Sequence, residues 1–128
     1  MRLLLDTHAI AWWLFNDSRL SSSIRALIAD PQNDVFASAI SAFEMATKFH
    51  TGKWNDFGPL VMAFEQAMAA ERFVVLDVSA RHAVQAGLLD GNDKDPFDRM
   101  IAAQCKIEGL LLISADSAFK AFGVEPLW

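Results

Sequence analysis

The sequence predicts a three-layer α/β domain whose mainly parallel central sheet of four to five strands has helices on both faces. Short apolar runs such as residues 3–5, typical of strands buried on both faces, alternate along the chain with longer segments of helical periodicity. Strands that alternate with helices favour a parallel sheet with right-handed crossovers. With 128 residues and no repeat or linker, the chain is expected to form a single domain over residues 1–128.

The elements of the first half follow from apolar spacing and from residues that stop helices. Asp30 and Pro31 end an amphipathic helix, and Gly52 ends the last helix of this half. The predicted order is a strand over residues 3–5, a helix over 8–15, a short helix between Leu20 and Ile28, a strand over 35–37 and a helix over 41–49.

In the second half, stronger local signals mark where helices begin and end. Ser79 is a typical N-cap, Pro96 is suited to the first turn of a helix, and Gly109 is suited to its end. The predicted order is a helix over residues 59–71, a strand over 73–76, a helix from Ser79 to residue 89, a polar loop over 91–95, a helix over 96–108, a strand over 110–113 and a short edge strand over 124–128.

Composition limits the partners and the compartment. The net charge of −5 argues against nucleic-acid binding by bulk electrostatics, although bound metal ions can supply positive charge. Cys105 is the only cysteine, which excludes an internal disulfide and favours the cytosol. No apolar run approaches the length of a membrane span.

The apolar content of the chain predicts a protein partner. A mean hydropathy of +0.22 with ten Phe and four Trp predicts apolar surface for a partner or a second copy, so a homodimer is expected.

Four acidic residues are expected at one edge of the sheet. In right-handed βαβ units the carboxyl ends of strands and the amino ends of helices share an edge, where such folds bind ligands. Asp6 follows the first strand, Glu44 is placed in the first turn of the helix after the second strand, Asp98 lies in the turn opened by Pro96, and Asp116 follows the fourth strand.

Each acid also has a purely structural interpretation. Asp6 or Thr7 can cap the first helix, and Asp116 can cap a short helix near the C-terminus. Residues 41–44, S-A-F-E, read as a capping box, and Glu44 can instead pair with Lys48 one turn further on. Asp95 reads as an N-cap, with Asp98 complementing the helix dipole.

Taken together, the acids predict a metal site. Four carboxylates at one edge repel one another, and divalent cations relieve that repulsion. Oxygen ligands without a His or Cys cluster favour Mg²⁺ or Mn²⁺ over zinc, and His8, His50 and His82 lack ligand spacing. Such a site supports phosphodiester hydrolysis by metal-activated water.

The motifs around these acids resemble those of PIN-domain ribonucleases, and within them the VapC-like toxins of bacterial type II toxin-antitoxin pairs. The resemblance covers essentially the whole chain and rests on L-L-L-D-T-H-A at residues 3–9 with the tryptophan pair at 12–13, S-A-F-E at 41–44, D-P-F-D-R-M-I-A-A-Q at 95–104, S-A-D at 114–116 and the ending G-V-x-P-L-W. It implies a PIN-like domain that cleaves RNA with Mg²⁺ or Mn²⁺ and is blocked by a cognate antitoxin protein.

The resemblance also implies roles for individual residues. Asp6, Glu44, Asp98 and Asp116 match the acidic quartet that binds metal and carries catalysis, and Asp116 is the member whose role varies most in the family. Asp93 and Asp95 are further acids next to this motif and are candidate neighbours of the quartet. The candidates for substrate contact are Thr7, whose hydroxyl matches the family's Ser or Thr, Ser114, where a Thr is more usual, Arg99 and Lys48.

The sequence leaves two alternatives open, one for the tryptophan pair and one for the function. Trp12 and Trp13 are adjacent in a helix and diverge by about 100°, so either one faces the core and the other a partner, or both are partly buried. The alternative function is a catalytically silent PIN-like module that acts by binding protein or RNA. Four intact acids speak against it, because a degenerate site is expected to lose some of them.

Overall fold

The computed structural model of the chain describes residues 1–92 and 94–128, and at its centre is a parallel sheet of four strands. The strands lie in the order β3-β2-β1-β4. They are β1 (Arg2–Leu5), β2 (Asp34–Ser38), β3 (Val74–Leu76) and β4 (Leu111–Ile113). The helices are α1 (Thr7–Leu14), α2 (Ser22–Ala29), α3 (Ala39–His50), α4 (Gly58–Met62), α5 (Phe64–Ala70), α6 (Ala80–Leu88) and α7 (Pro96–Glu108), with 3₁₀ helices at Asn55–Phe57 and Ser117–Phe122.

Helices cover both faces of the sheet, so the predicted three-layer architecture is confirmed. The side chains of β1 alternate between the two faces, and all three leucines are fully buried. Leu3 and Leu5 pack in one cluster with buried residues of α1, α2, α3 and α5. Leu4 packs in a second cluster with α6, α7 and the C-terminal 3₁₀ helix. Burial on both faces explains why β1 is an uninterrupted apolar run.

The strand register aligns the carboxyl ends of the central strands. Leu5 lies opposite Ala37 of β2 on one side and opposite Ile113 of β4 on the other. The residues that follow these three positions, namely Asp6, Ser38 and Ser114, therefore emerge at the same edge. This is the edge at which the sequence places the acidic residues.

The predicted helix over residues 59–71 is wrong, because the chain forms two shorter helices there. Ala63 lies between α4 and α5 with φ −133° and ψ 39°, outside the helical region. Leu60 and Phe64, on either side of the bend, pack on the same core cluster. The apolar spacing continues through the bend, so the sequence carries no signal of the break.

The predicted edge strand over residues 124–128 is reduced to a single bridge between Leu127 and Ile113. By contrast, the strongest local signals are confirmed: α7 begins at Pro96, and Gly109 follows its end with a left-handed backbone at φ 65°. Among the described residues, we find no helix with both the length and the apolar character that crossing a membrane requires.

Candidate active site

A small cavity of about 110 Å³ lies at the carboxyl edge of the sheet. All four acids of the predicted quartet line it, although they come from four separate parts of the chain. The complete lining is Asp6, Thr7, His8, Glu44, Lys48, Asp95, Asp98, Ile101 and Asp116. Five carboxylates and one lysine therefore surround a space that holds only a few water molecules.

Asp6 is held in place by both of its carboxylate oxygens. It is the N-cap of α1, where Oδ1 accepts a hydrogen bond of 2.8 Å from the backbone N–H of Ala9, and Oδ2 accepts one from the Ser114 hydroxyl. The side chain is only 7% exposed. Burial raises the pKa of Asp6 above its ordinary value, the hydrogen bonds from Ser114 and Ala9 oppose that rise, and Glu44 adds to it.

Glu44 lies in the second turn of α3, not the first, because the predicted capping box at residues 41–44 is wrong. The N-cap is Ser38, whose hydroxyl accepts from the N–H of Ile40. Ser41 is therefore inside the helix, where its fully buried Oγ accepts a 2.9 Å hydrogen bond from the hydroxyl of Thr7. The Thr7 hydroxyl thus ties α1 to α3 beneath the cavity, and its contact with substrate stays a prediction.

The predicted pairing of Glu44 with Lys48 is confirmed. Lys48 Nζ donates to Glu44 Oε2 at 2.8 Å, and the same ammonium group lies 4.4 Å from the ring centroid of Trp54. Glu44 is buried, whereas Lys48 is half-buried. The lysine offsets part of the negative charge of the cavity on its α3 side.

Asp98 and Asp95 meet the cavity from the start of α7. Asp95 is the N-cap and accepts hydrogen bonds from the backbone N–H groups of Phe97 at 2.9 Å and Asp98 at 3.4 Å. Asp98 is half-buried in the first turn of the helix, and Asp95 is exposed. The capping interpretation and a place at the cavity are therefore compatible. Asp93, the other candidate neighbour, lies outside the described residues.

Asp116 and Ser114 form the side of the site that follows β4. The exposed Asp116 caps the C-terminal 3₁₀ helix by accepting from the N–H of Ala118 at 2.9 Å. Its own backbone N–H donates to the Ser114 hydroxyl at 3.0 Å, while that hydroxyl donates to Asp6. Ser114 is fully buried and joins two of the four acids. The S-A-D motif pointed to this residue but not to its position between two acids.

The structure does not bring Arg99 into the lining of the cavity. Its guanidinium donates to the backbone carbonyls of Ala86, at 3.0 Å, and Leu89, and lies 5.4 Å from the ring centroid of Phe122. These contacts join α7 to the end of α6. The guanidinium is therefore bound within the protein and is not only solvated. The role of Arg99 in substrate binding stays a prediction.

His82 and the tryptophan pair at residues 12–13 have structural partners within the protein. His82 is buried, where Nδ1 accepts from the N–H of Ser79 and Nε2 lies 2.9 Å from a carboxylate oxygen of Glu108. Trp12 and Trp13 are both half-buried and both pack against the core, as the second interpretation of this pair expected.

The donor set fits a hard divalent cation. Among the described residues, no group of three or more Asp, Glu, His or Cys side chains is already arranged to hold a metal ion. The lining nevertheless offers carboxylate oxygens and a large excess of negative charge, and Asp6 is buried with its pKa raised. Carboxylate oxygens are the ligands that Mg²⁺ and Mn²⁺ prefer, so the residues of the lining suit such a cation.

Comparison with known proteins identifies the fold family. The PIN domain family model matches residues 3–125, whereas no protein of curated function matches. One similar solved structure is FitAB bound to the IR36 DNA fragment, with 23% identity, a TM-score of 0.69 and coverage of 98% of this chain and 93% of that one. Another is VapBC2 from Rickettsia felis bound to a promoter DNA fragment, with 19% identity, a TM-score of 0.65 and full coverage of both chains. The chain belongs to the PIN domain family.

Proposed function

We propose that the chain is an Mg²⁺- or Mn²⁺-dependent endoribonuclease that acts as the toxin of a toxin-antitoxin pair. Membership of the PIN domain family supports a hydrolase acting on nucleic acid. The observation that carries the finer proposal is the convergence of four acids from separate elements on one cavity. Four carboxylates at a single edge are electrostatically costly, and a site that binds cations accounts for that cost.

The proposed roles of the acids follow from where they lie. Asp6 and Glu44 are buried and hold the inner side of a cation site, while Asp98 and Asp116 approach it from the amino ends of two helices. A divalent cation, when bound, lowers the pKa of the attacking water and stabilises the leaving oxygen of the phosphodiester. Ser114 keeps Asp6 oriented toward the cavity through its hydrogen bond.

Lys48 is the cationic residue of the lining, and we assign it to substrate approach. Its ammonium group is bound to Glu44, and the side chain is 26% exposed. Its ammonium group can therefore donate a hydrogen bond to a phosphate oxygen of the substrate at the edge of the cavity. Thr7, which lines the cavity, and Ser114 are buried and hydrogen-bonded to other residues of the site, so we assign them to supporting its shape.

The proposed partners are an antitoxin protein, an RNA substrate and a second copy of the chain. The two solved neighbours are FitAB and VapBC2, each bound to a DNA fragment. Several large apolar side chains are more than half exposed, which supports burial against protein partners. The four most exposed are Phe43, Met62, Val84 and Leu88. The proposed location is the cytoplasm.

The direct test is cleavage of RNA by the purified protein. The protein is freed of any co-purified antitoxin and incubated with a panel of structured and single-stranded RNAs in Mg²⁺, Mn²⁺ or EDTA. We expect cleavage with either cation, none in EDTA, and a rate at least about 100-fold lower for Asp6→Asn. Asn keeps the oxygen that caps α1, so the variant is expected to fold.

The outcomes separate the proposal from its alternative. Cleavage that Asp6→Asn retains in full would come from a contaminant and remove the assignment. Absence of cleavage by the wild-type protein on every RNA, together with metal-independent RNA or protein binding, would favour the catalytically silent PIN-like module.

A further inference from the structure

A second and larger cavity adjoins the acidic one. Its volume of about 410 Å³ falls within the range of about 300–1,000 Å³ that is usual for ligand pockets. Five of its nine lining residues have aromatic rings. The lining is His8, Ala11, Trp12, Phe15, Asp17, Arg19, Trp54, Asp56 and Phe57, and we call this space the aromatic cavity.

Two side chains link the aromatic cavity to the proposed catalytic site. His8 lines both cavities, and its ring centroid lies 5.9 Å from that of Trp12 and 5.4 Å from that of Trp54. Lys48 is bound to Glu44 of the acidic cavity and lies 4.4 Å from the ring centroid of Trp54. A ligand group in the aromatic cavity would therefore lie beside a phosphate held at the acids.

The charges of the aromatic cavity do not suit a phosphate. The guanidinium of Arg19 is paired with Asp17 through two hydrogen bonds of 3.1 and 2.7 Å to the carboxylate. Asp56 adds a second carboxylate, so acids outnumber cations in the lining. A neutral, flat group with hydrogen-bond donors on its edge is complementary to such a surface, because rings offer stacking and carboxylates accept from amino groups.

We infer that the aromatic cavity binds an unpaired nucleobase of the RNA strand, one that flanks the phosphate at the acidic cavity. The inference rests on the proposed ribonuclease function. Single-stranded nucleic acid is commonly held by stacking of bases on aromatic side chains, which tolerates any base. Here Trp12 and Trp54 supply the rings, and a base would stack on them by replacing the cations that contact them, because Arg19 lies 4.8 Å from the Trp12 ring centroid and Lys48 4.4 Å from that of Trp54. Asp17 is paired with Arg19, so Asp56 is the acceptor for an exocyclic amino group.

The test asks whether the contribution of one base to RNA affinity depends on one tryptophan. The cleavage position is first mapped with the wild-type protein on a single-stranded RNA. The Asp6→Asn protein is then titrated in Mg²⁺ with fluorescent copies of that RNA in which each nucleotide near the cleaved bond is replaced, one at a time, by an abasic ribose. We expect one abasic position to weaken binding about 5- to 100-fold, the effect of losing one stacked base.

The same series in Asp6→Asn/Trp54→Leu is expected to lose that sensitivity, so that abasic and normal RNAs bind alike. Trp54→Phe keeps an aromatic ring and is expected to keep most of the effect, which separates stacking from a loss of folding. Trp13→Leu is the matched control. Trp13 lies next to Trp12 but contacts Phe73 and Glu71 outside the aromatic cavity, so the abasic effect should persist in that variant.

Three results would overturn the inference. One is equal binding of every abasic RNA, and another is an abasic effect that survives Trp54→Leu unchanged. A third is wild-type RNA affinity for Trp54→Leu combined with weakened binding of a co-expressed protein partner, which would assign the cavity to that partner. In each of these cases RNA cleavage by the wild-type protein still supports the proposed function, whereas its absence removes the proposed function as well.

Discussion

The two halves of the acidic cavity differ in how firmly the protein holds their carboxylates. Asp6 and Glu44, in the inner half, are each 7% exposed and each accept a hydrogen bond from another side chain, Ser114 or Lys48. Asp98 and Asp116, in the outer half, lie at the amino ends of helices and face solvent to a greater extent.

Because of this difference, the free-energy cost of keeping a carboxylate ionised in the folded protein differs between the two halves. In the inner half, burial removes both carboxylates from water, and for Asp6 the hydrogen bonds from Ser114 and Ala9 only partly replace the lost hydration. In the outer half, water and the helix N-termini stabilise the negative charge without any cation. A divalent cation should therefore stabilise the folded protein mainly through the inner half, while the outer half adds ligands that adjust to the substrate.

The largest expected effect is on the thermal stability of the protein when Asp6, in the inner half, is replaced. Asp6→Asn removes a carboxylate whose pKa is raised above its ordinary value of 3.8. An acid of this kind contributes stability below its unfolded pKa and loses that contribution as the pH rises through its folded pKa. In EDTA, raising the pH from 3.5 to 7 should therefore destabilise the wild-type protein relative to Asp6→Asn, as measured by thermal unfolding.

Mg²⁺ should reverse this difference at pH 7. At a Mg²⁺ concentration 100 times the dissociation constant, binding adds about 2.7 kcal/mol, or on the order of 10 °C in melting temperature for a chain of this size. We expect that gain for the wild-type protein and little of it for Asp6→Asn. A similar gain in both proteins would show that the inner half is not where the cation acts.

A smaller effect is expected when the support of Asp6 is removed. Ser114→Ala leaves a carboxylate oxygen of Asp6 and the N–H of Asp116 without the hydroxyl that joins them. We expect a loss of about 1–3 kcal/mol in the free energy of unfolding, measured in urea, because buried polar groups lose a partner. Apparent affinity for Mg²⁺ or the cleavage rate should fall about 10- to 100-fold, as for other residues that orient a metal ligand.

Ser114→Thr is the matched control for this substitution, because it keeps the hydroxyl. It should retain most of the metal affinity lost in Ser114→Ala. If both variants bound Mg²⁺ like the wild-type protein, Ser114 would contribute to folding alone, and the rigidity of the inner half would have no part in cation binding.

The contrast between the halves also explains which parts of the site the sequence predicts. Local signals sufficed for the outer half: Asp95 and Pro96 start α7 at the expected residue, and Asp116 caps a short helix as expected. The inner half depends on contacts between distant segments. The chain around α3 offers serines at both 38 and 41, and only the end of β2 decides that Ser38 is the cap, which releases Ser41 to bond Thr7.

Distant contacts also decided the features that the sequence did not predict. Arg99 donates to the backbone carbonyls of Ala86 and Leu89 at the end of α6, which no periodicity or motif identifies as its partners. The break at Ala63 has the same origin, since packing of two short helices on one core overrides a continuous helical pattern. The three layers and the placement of the acids at one edge follow from apolar periodicity and from the handedness of βαβ units, which are local or general rules.

The smallest effect is expected in the outer half. Asp116 is exposed, and Asn can replace its carboxylate as the cap of the 3₁₀ helix by accepting from the N–H of Ala118. Asp116→Asn should therefore change the free energy of unfolding by no more than about 0.5 kcal/mol, measured in urea. The gain in melting temperature with Mg²⁺ should stay close to that of the wild-type protein, because the buried carboxylates are intact. Loss of that gain, to the extent seen in Asp6→Asn, would show that the outer half contributes to cation binding as strongly as the inner half, and the distinction between the two halves would fail.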